Sequence, residues 1–547
     1  MLRNKKDLPA WLMSGLFGII TSVFFVFGYQ LETADALNLS DQNGLLILAA
    51  FIIIVTVDTR HVWRNYDEAR NGGKLFGFIK LSNDVKENEI AIKDFLINWG
   101  ILVILAMPVF LAEFPGFFVY DAQDELNEVL TRTFTTHHPL LHVLLLGGTI
   151  ALFHKISGSW NVGIAAYIFL QMLVITAVFA YVVTYLKKKG LDKKIRFLWL
   201  AFFGLFPTIV MYTLCSCKDG MFSALLLMVT VLLVQLVEDS RAFLSDKRKV
   251  IGFVICAFLM PMFRHNGFYA YLVFIPFALF YFRKEIKLVL VGCLLLPVAL
   301  YLLCSGLLSA VLAKDAVTHH QEMLTVPIMQ LARVYSYDKD SISDDDKAVI
   351  ESYIPKENLE KYTPRVSDLV KVDFDNAHYE KDKAAFWKVW GKLLVRHPAA
   401  YLNAWLLTSY GYWYPPAIIN VYKGNSVYSF TYDSSSYFGY EVEPPGERKS
   451  LIPVIDELYR YISIGSFQQD SPVMRLFFTP GLYVIIYMFV FAYRLYKRRF
   501  DGILPFLPMI LTFCTILLGP TYLVRYCLYL WLCLPLLLLS TPRRATL

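Results

Sequence analysis

Apolar residues along this chain gather in unbroken runs of about 15 to 25, separated by short stretches rich in Lys and Arg, and they do not alternate at every second position. A bilayer core about 30 Å thick requires helices of roughly 20 residues. The runs therefore predict spanning helices near 10–28, 43–57, 95–113, 162–186, 196–216, 219–237, 250–263, 267–282, 287–312, 473–495, 502–519 and 523–540. A thirteenth run, 139–153, is short. The alternation that a transmembrane barrel needs is missing. Residues 313–472 form the one sizeable polar region, whose first half reads as polar helices and whose 401–440 stretch is crowded with Tyr and Trp. The fold class this predicts is an all-α polytopic membrane protein of about 12–13 transmembrane helices. An α-rich extracytoplasmic domain is inserted before the last three.

Charge orients the spans. Lys and Arg concentrate in 58–93, Lys187 to Arg196, Arg241 to Lys249, Arg283 to Lys287, Lys497 to Arg499 and Arg543 to Arg544, which the positive-inside rule places in the cytoplasm. All six sit there together if 139–153 enters and leaves on the outer face as a re-entrant piece, the reading preferred over a full crossing. Four units result: 1–93, a pair of spans with a basic cytoplasmic loop; 94–312, a transmembrane core whose first outer loop is 114–138; 313–472, the extracytoplasmic domain; and 473–547, the C-terminal helices. The positive N-terminus leads into an apolar segment, Trp11 to Gly28, with no small-residue cleavage site after it, so an uncleaved first span is expected.

Composition agrees and excludes. With 547 residues, 56% of them apolar and 18% charged, and a mean hydropathy of +0.48, the chain is neither a soluble multidomain enzyme nor a disordered one. The net charge of +7 divides into −5 over 313–472 and +12 over the remainder, as expected for an outer domain on a body with basic cytoplasmic loops. All eight cysteines lie in or beside apolar runs, so no disulfide framework is indicated. No Cys/His set has zinc spacing, and His138-Pro-Leu-Leu-His142 lacks the glutamate of a metalloprotease helix. No phosphate-binding glycine loop appears, and no nucleic-acid partner is indicated.

In this orientation the polar residues at outer helix ends become candidates for chemistry. Asp121, Asp124 and Glu125 follow a span directly, and if Asp121 opens a helix the other two share its face. A carboxylate there is suited to take a proton from an attacking hydroxyl, although Asp124 and Glu125 also suit a solvated first turn. Lys218, Arg264 and Arg525 run against the positive-inside bias, a placement that demands a partner. Asp219 could supply it as an ion pair, or a lipid phosphate could, through charge-assisted hydrogen bonds. His137 and His138 precede Pro139 at the membrane edge, where phosphate or a metal are both suitable ligands. His265 with Asn266, Gln330 with Arg333, and Tyr526 complete the set. The rings of Tyr410 to Tyr414 suit either sugar faces or the headgroup level.

The segment Tyr120-Asp121, the close of its loop at His137-His-Pro139, and the late polar domain together resemble the integral-membrane glycosyltransferases of the GT-C class. That class includes protein mannosyltransferases and lipid A aminoarabinose transferases, which the chain resembles distantly. Ser216-Cys-Lys-Asp219, Phe263-Arg-His-Asn-Gly267, Val326 to Arg333, Gly411-Tyr-Trp-Tyr-Pro415 and Val524-Arg-Tyr526 are similar to an uncharacterised multi-span family of Gram-positive bacteria, over about 95 to 540. The resemblance implies a polyprenyl-phosphate-linked sugar as donor and Asp121, with Asp124 nearby, as the catalytic acids. It implies donor-phosphate contacts for His137, His138, Lys218, Arg264, Arg525 and Tyr526, and acceptor or structural roles for Asp219, His265, Asn266, Gln330 and Arg333. It fixes no cofactor, since a divalent metal (Mg or Mn) serves some members and not others.

The expectation is an inverting glycosyltransferase of the cell membrane, with its site on the extracytoplasmic face and an envelope glycan, teichoic acid, lipid or protein as acceptor. A transporter or flippase of lipid-linked sugars, a glycan polymerase or ligase, and an envelope scaffold are the alternatives. The lack of internal repeats and the gathering of polar residues at one face weigh against the transporter.

Overall fold

In a bilayer every backbone polar group must be satisfied within the chain, so long apolar runs fold as helices. The computed structural model describes residues 7–71, 88–284, 287–313, 320–419 and 442–539. Residues 72–87 of the basic loop, 285–286 of the Arg283 to Lys287 cluster, 420–440 of the aromatic stretch, and Arg543 with Arg544 lie outside the described residues. The chain is an all-α, multi-pass membrane protein; among the described residues only isolated β-bridges accompany the helices.

The first half runs through α1 (Leu8–Ala34), α2 (Gln42–Arg70), α3 (Ile92–Ala112), α4 (Ala122–Thr131), α5 (Leu140–Ser157) and α6 (Trp160–Lys188). It continues with α7 (Lys193–Leu205), α8 (Pro207–Thr213), α9 (Lys218–Glu238), α10 (Ser240–Ser245), α11 (Lys247–Phe263), α12 (His265–Tyr281) and α13 (Leu288–Leu312). Seven of these, α1, α2, α3, α5, α6, α9 and α13, are long and apolar enough to cross a membrane. The expected span 196–216 is a pair, α7 and α8, bent by 55° where Pro207 opens the second helix; counted as one, it makes eight. α11 and α12 have 17 residues each, as does Pro480–Tyr496, and Phe500–Ile516 is a further short apolar helix.

The expected span 523–540 is not one helix. It breaks into turns at Val524–Cys527, Tyr529–Leu532 and Leu534–Leu537, the last with Pro535 near its start, and almost all of Tyr522 to Leu537 is buried. A segment enclosed by protein on all sides tolerates irregular backbone that lipid would not. α9 is the central helix, 83% buried along its most apolar stretch, whereas α2, 6% buried, is peripheral.

α5 packs antiparallel against the start of α6: His142 Nε2 meets the Tyr167 hydroxyl at 2.9 Å, Gly163 faces the Ile150 carbonyl, and His154 stacks on Trp160 at 3.6 Å. At the opposite end of α6, Lys187 pairs with Asp94 at the start of α3.

The polar region expected at 313–472 divides by packing. Helices between His320 and Tyr401 enclose a core of their own, including Ile328, Leu331, Val334, Tyr353, Phe386 and Leu393. Tyr410, Tyr412, Trp413 and Tyr414 belong instead to the main core, with Tyr412 donating to the Thr521 carbonyl (3.0 Å) and Tyr522 donating to Tyr410 (3.1 Å). Rings buried in this way have no face left for a sugar or for headgroups, which corrects both readings of that motif. The α1–α2 hairpin is fastened at both ends. Asp67 accepts from Tyr493 and Lys497 (both 2.6 Å), while at the Asp35 turn Arg333 donates to the backbone carbonyl and Arg365 pairs with the carboxylate (both 2.7 Å).

Candidate functional site

Two loops meet at the bundle end where α6 and α9 begin. The Phe117 N–H donates to the Leu214 carbonyl (3.0 Å) and the Ser216 N–H returns to the Phe117 carbonyl (2.9 Å), which brings the stretch before Asp121 beside the stretch before Lys218. A Cβ on Gly220 would lie 2.4 Å from the Tyr212 carbonyl, so glycine is what lets the first turn of α9 press against α8. Tyr120 is held at φ 69°, a left-handed conformation uncommon for a bulky residue, with the Arg525 guanidinium over its ring at 4.1 Å. Asp121 then stands at the N-cap of α4 but makes no side-chain capping bond. Its carboxylate is directed elsewhere, which removes the simplest structural explanation for an Asp at that position.

Lys218 is the hub. Its Nζ donates to Asp121 Oδ2 (2.8 Å), His138 Nδ1 (2.9 Å) and Glu125 Oε1 (3.5 Å). The second Glu125 oxygen bonds His142 Nδ1, and His142 is fixed in turn by Tyr167. Arg525 Nη1 lies 3.6 Å from Asp121 and 3.7 Å from Asp219, and Arg264 pairs with the other Asp219 oxygen. Tyr526 roofs both arginines, 4.3 Å from Arg264 and 4.9 Å from Arg525, and accepts from Arg525 through its hydroxyl (3.2 Å). Asp219 therefore serves the two arginines, and the ion pair with Lys218 considered from sequence is replaced by Lys218 with Asp121 and Glu125.

The donor atoms of Asp121, Glu125 and His138 lie within 4.8 Å of one another, a spacing from which a metal ion could be held. The Lys218 ammonium bonds all three. Asp121 is the open member of the group, 33% exposed, whereas Glu125 is 1% exposed. Burial acts to raise the Asp121 carboxyl, but Lys218 and Arg525 prevail and hold it well below the usual range. Burial, reinforced by Lys218, lowers His138 to about 3, so its neutral ring accepts from the ammonium.

A family model described as a family of unknown function, DUF6020, matches residues 98–546. The chain belongs to the DUF6020 family. Neither the curated proteins nor the solved structures contain a match. Every charged residue of the cluster falls inside the DUF6020 region, and the α1–α2 hairpin falls outside it.

The sequence-derived set divides within this DUF6020 site. Asp121, His138, Lys218, Asp219, Arg264, Arg525 and Tyr526 come together. His137 stands against His138 at 4.5 Å between ring centres. His265 bonds the Tyr301 hydroxyl (3.0 Å) and lines a cleft with Thr136, His138, Leu140, Ser305 and Leu308. Asn266 donates to Thr515 (3.0 Å), tying α12 to Phe500–Ile516.

Three of the sequence candidates stand apart from the cluster, two of them, Gln330 and Arg333, in the structural role that was one of their two expected roles. Asp124 faces outward and is exposed, because at this register the residue four after Asp121, Glu125, turns inward. Gln330 and Arg333 lie away from the cluster: Gln330 bridges Trp390 (2.9 Å) and the Tyr401 carbonyl (3.2 Å), and Arg333 reaches Asp35 and Tyr362.

Sequence reading missed His142 and Tyr167, which hold Glu125, and also Glu443. The segment containing it runs beside the first loop, its N–H donating to the Phe118 carbonyl (2.8 Å) and the Lys449 N–H to the Phe114 carbonyl (2.8 Å). Its carboxyl is 5% exposed, and neither oxygen has a hydrogen-bond partner among the described residues. Burial, with the nearby charges of Asp121 and Asp124, pushes it up to about 8. Only the Glu443-Pro-Pro-Gly turn composition marks it in the sequence, and that is no signal of chemistry. Between its ordinary value of 4.5 and about 8, the folded chain keeps a proton that the unfolded chain has lost, so stability falls as pH rises through that window. Glu443→Gln is expected to raise the thermal midpoint above wild type by a margin that widens up to about pH 8 and then levels. Melting curves across pH check this; a margin independent of pH would contradict it.

Proposed function

We propose that this DUF6020 chain is a glycosyltransferase that moves a sugar from a polyprenyl-phosphate-linked donor to a hydroxyl of a cell-envelope acceptor. The site lies on the extracytoplasmic face of the plasma membrane of a Gram-positive bacterium. The observation that carries the reading is a single half-open carboxylate, Asp121, set in a partly buried group of three cations, Lys218, Arg264 and Arg525, at one end of a membrane bundle. The acceptor oxygen forms the new bond to the anomeric carbon from the face opposite the phosphate, and the bond from that carbon to the phosphate oxygen breaks with its electron pair. The hydroxyl proton goes to Asp121, which a cation-stabilised carboxylate can accept because the attacking oxygen becomes acidic as its new bond forms. The phosphate leaves toward the cations, which stabilise its developing charge. Displacement of this kind inverts the anomeric centre.

The cleft between Thr136 to Leu140 and α13 suits such a donor, since His138, His265 and Tyr301 are polar while Leu140, Met262 and Leu308 suit an isoprenoid chain.

The test uses the full chain in liposomes with labelled undecaprenyl-phosphate sugars and envelope fractions as acceptors. Release of undecaprenyl phosphate matched by label in the acceptor is expected. Movement of intact labelled lipid between leaflets, without release, would favour a flippase.

A further inference from the structure

We propose that the Lys218 ammonium permanently occupies the seat that a divalent metal ion would take between Asp121, Glu125 and His138, so that the site works without a metal, and that truncating Lys218 opens a metal site there. For its catalytic consequence this rests on the glycosyltransferase reading; for the cation seat it does not.

The donor set is of the kind that holds Mn or Zn, with two carboxylate oxygens and one imidazole nitrogen. It is supported as metal ligands usually are: His142 orients Glu125, and Tyr167 orients His142. The spacing, however, fits an ammonium better. Ligands bound at about 2.0–2.2 Å to one ion lie at most about 4.4 Å apart. His138 Nδ1 is 4.0 Å from Asp121 and 3.8 Å from Glu125, near the outer end of that range, whereas the Nζ sits at ordinary hydrogen-bond distances of 2.8 and 2.9 Å from Asp121 and His138.

Charge points the same way. Asp121, Glu125 and Asp219 are matched by Lys218, Arg264 and Arg525, so the group holds no surplus negative charge to attract a divalent ion. The cation is tethered at the first residue of α9, and that turn is seated against α8 at Gly220. A chelator therefore has nothing to remove.

The experiment measures binding of Mn2+ alone, by calorimetry and electron paramagnetic resonance, to the full chain in metal-free detergent solution. Wild type is expected to bind no stoichiometric Mn2+. Lys218→Ala is expected to bind about one ion per chain, as an opened two-carboxylate, one-imidazole site should, and to lose it when His138→Ala is added. Lys218→Met, which keeps the bulk of the side chain, replaces Lys218→Ala if that variant does not remain monodisperse. A stoichiometric ion in wild type that is lost in Asp121→Asn would overturn the proposal, as would a monodisperse Lys218 variant that binds none. Wild-type melting and transfer are expected to be unchanged by EDTA, and a loss of either also overturns it. If no donor is turned over at all, the glycosyltransferase reading fails while the Mn2+ result stands on its own.

Discussion

Asp121→Asn is expected to lower sugar transfer by about 10²–10⁴-fold, the range for removing a general base, while the donor lipid binds within a few-fold of wild type. The amide keeps the shape of the carboxylate and one oxygen for Lys218, and the ammonium retains Glu125 and His138. What it cannot do is receive the hydroxyl proton. Initial rates with labelled donor, read beside direct binding of the same donor, check the result. Lost transfer with retained binding fits the base role. A flippase that uses only the cations gives the opposite pattern, tolerating Asp121→Asn and failing in Arg264→Ala and Arg525→Ala.

Asp219→Ala has the largest expected effect on stability. Its side chain is fully buried, one oxygen on Arg264 and the other 3.7 Å from Arg525. Its removal leaves two guanidinium groups in low dielectric without that counter-charge, and breaking a buried pair in this way costs about 3–5 kcal/mol. Thermal unfolding of the detergent-solubilised chain is expected to drop by several degrees, and Asp219→Ala combined with Arg264→Met is expected to recover part of the loss by removing one stranded charge as well. A single variant as stable as wild type would show that water or lipid headgroups solvate the arginines instead.

How far the site could be read from sequence follows from what kind of signal each residue carries. Lys218, Arg264 and Arg525 were conspicuous because cations between apolar spans violate a strong bias, and the structure brings all three together with Asp121 and His138. The choice between Asp124 and Glu125 rests on how a short helix is rolled about its axis. Packing decides that, and no local pattern does. Glu443 lies in a stretch where charged residues are ordinary, so its burial beside Asp121, set by backbone pairing with Phe118 across more than 300 positions, leaves no mark in its neighbours. Arg333 and Gln330 stand out as polar residues in an apolar helix, yet Gln330 braces its own domain through Trp390 and Tyr401 while Arg333 docks that domain on the Asp35 turn. The long helices were legible from hydropathy. The break-up of 523–540 was not, because a run enclosed by protein and a run facing lipid have the same composition, and only Pro535 hints at the difference.

The position of Arg525 in the chain also sets an order of events during synthesis. Asp121 and Arg525 are 404 residues apart, an interval of roughly 20–80 s at about 5–20 residues per second. Asp219 precedes Arg525 by 306 residues, so both carboxylates are made well before the guanidinium that lies between them. Asp121 has Lys218 within its first quarter of that wait, and Asp219 has Arg264 soon after, so each early carboxylate is matched by a cation made within about a hundred residues of it. Arg525, the last of these cations to be translated, is thus the one that bridges two pairs whose members are all made before it.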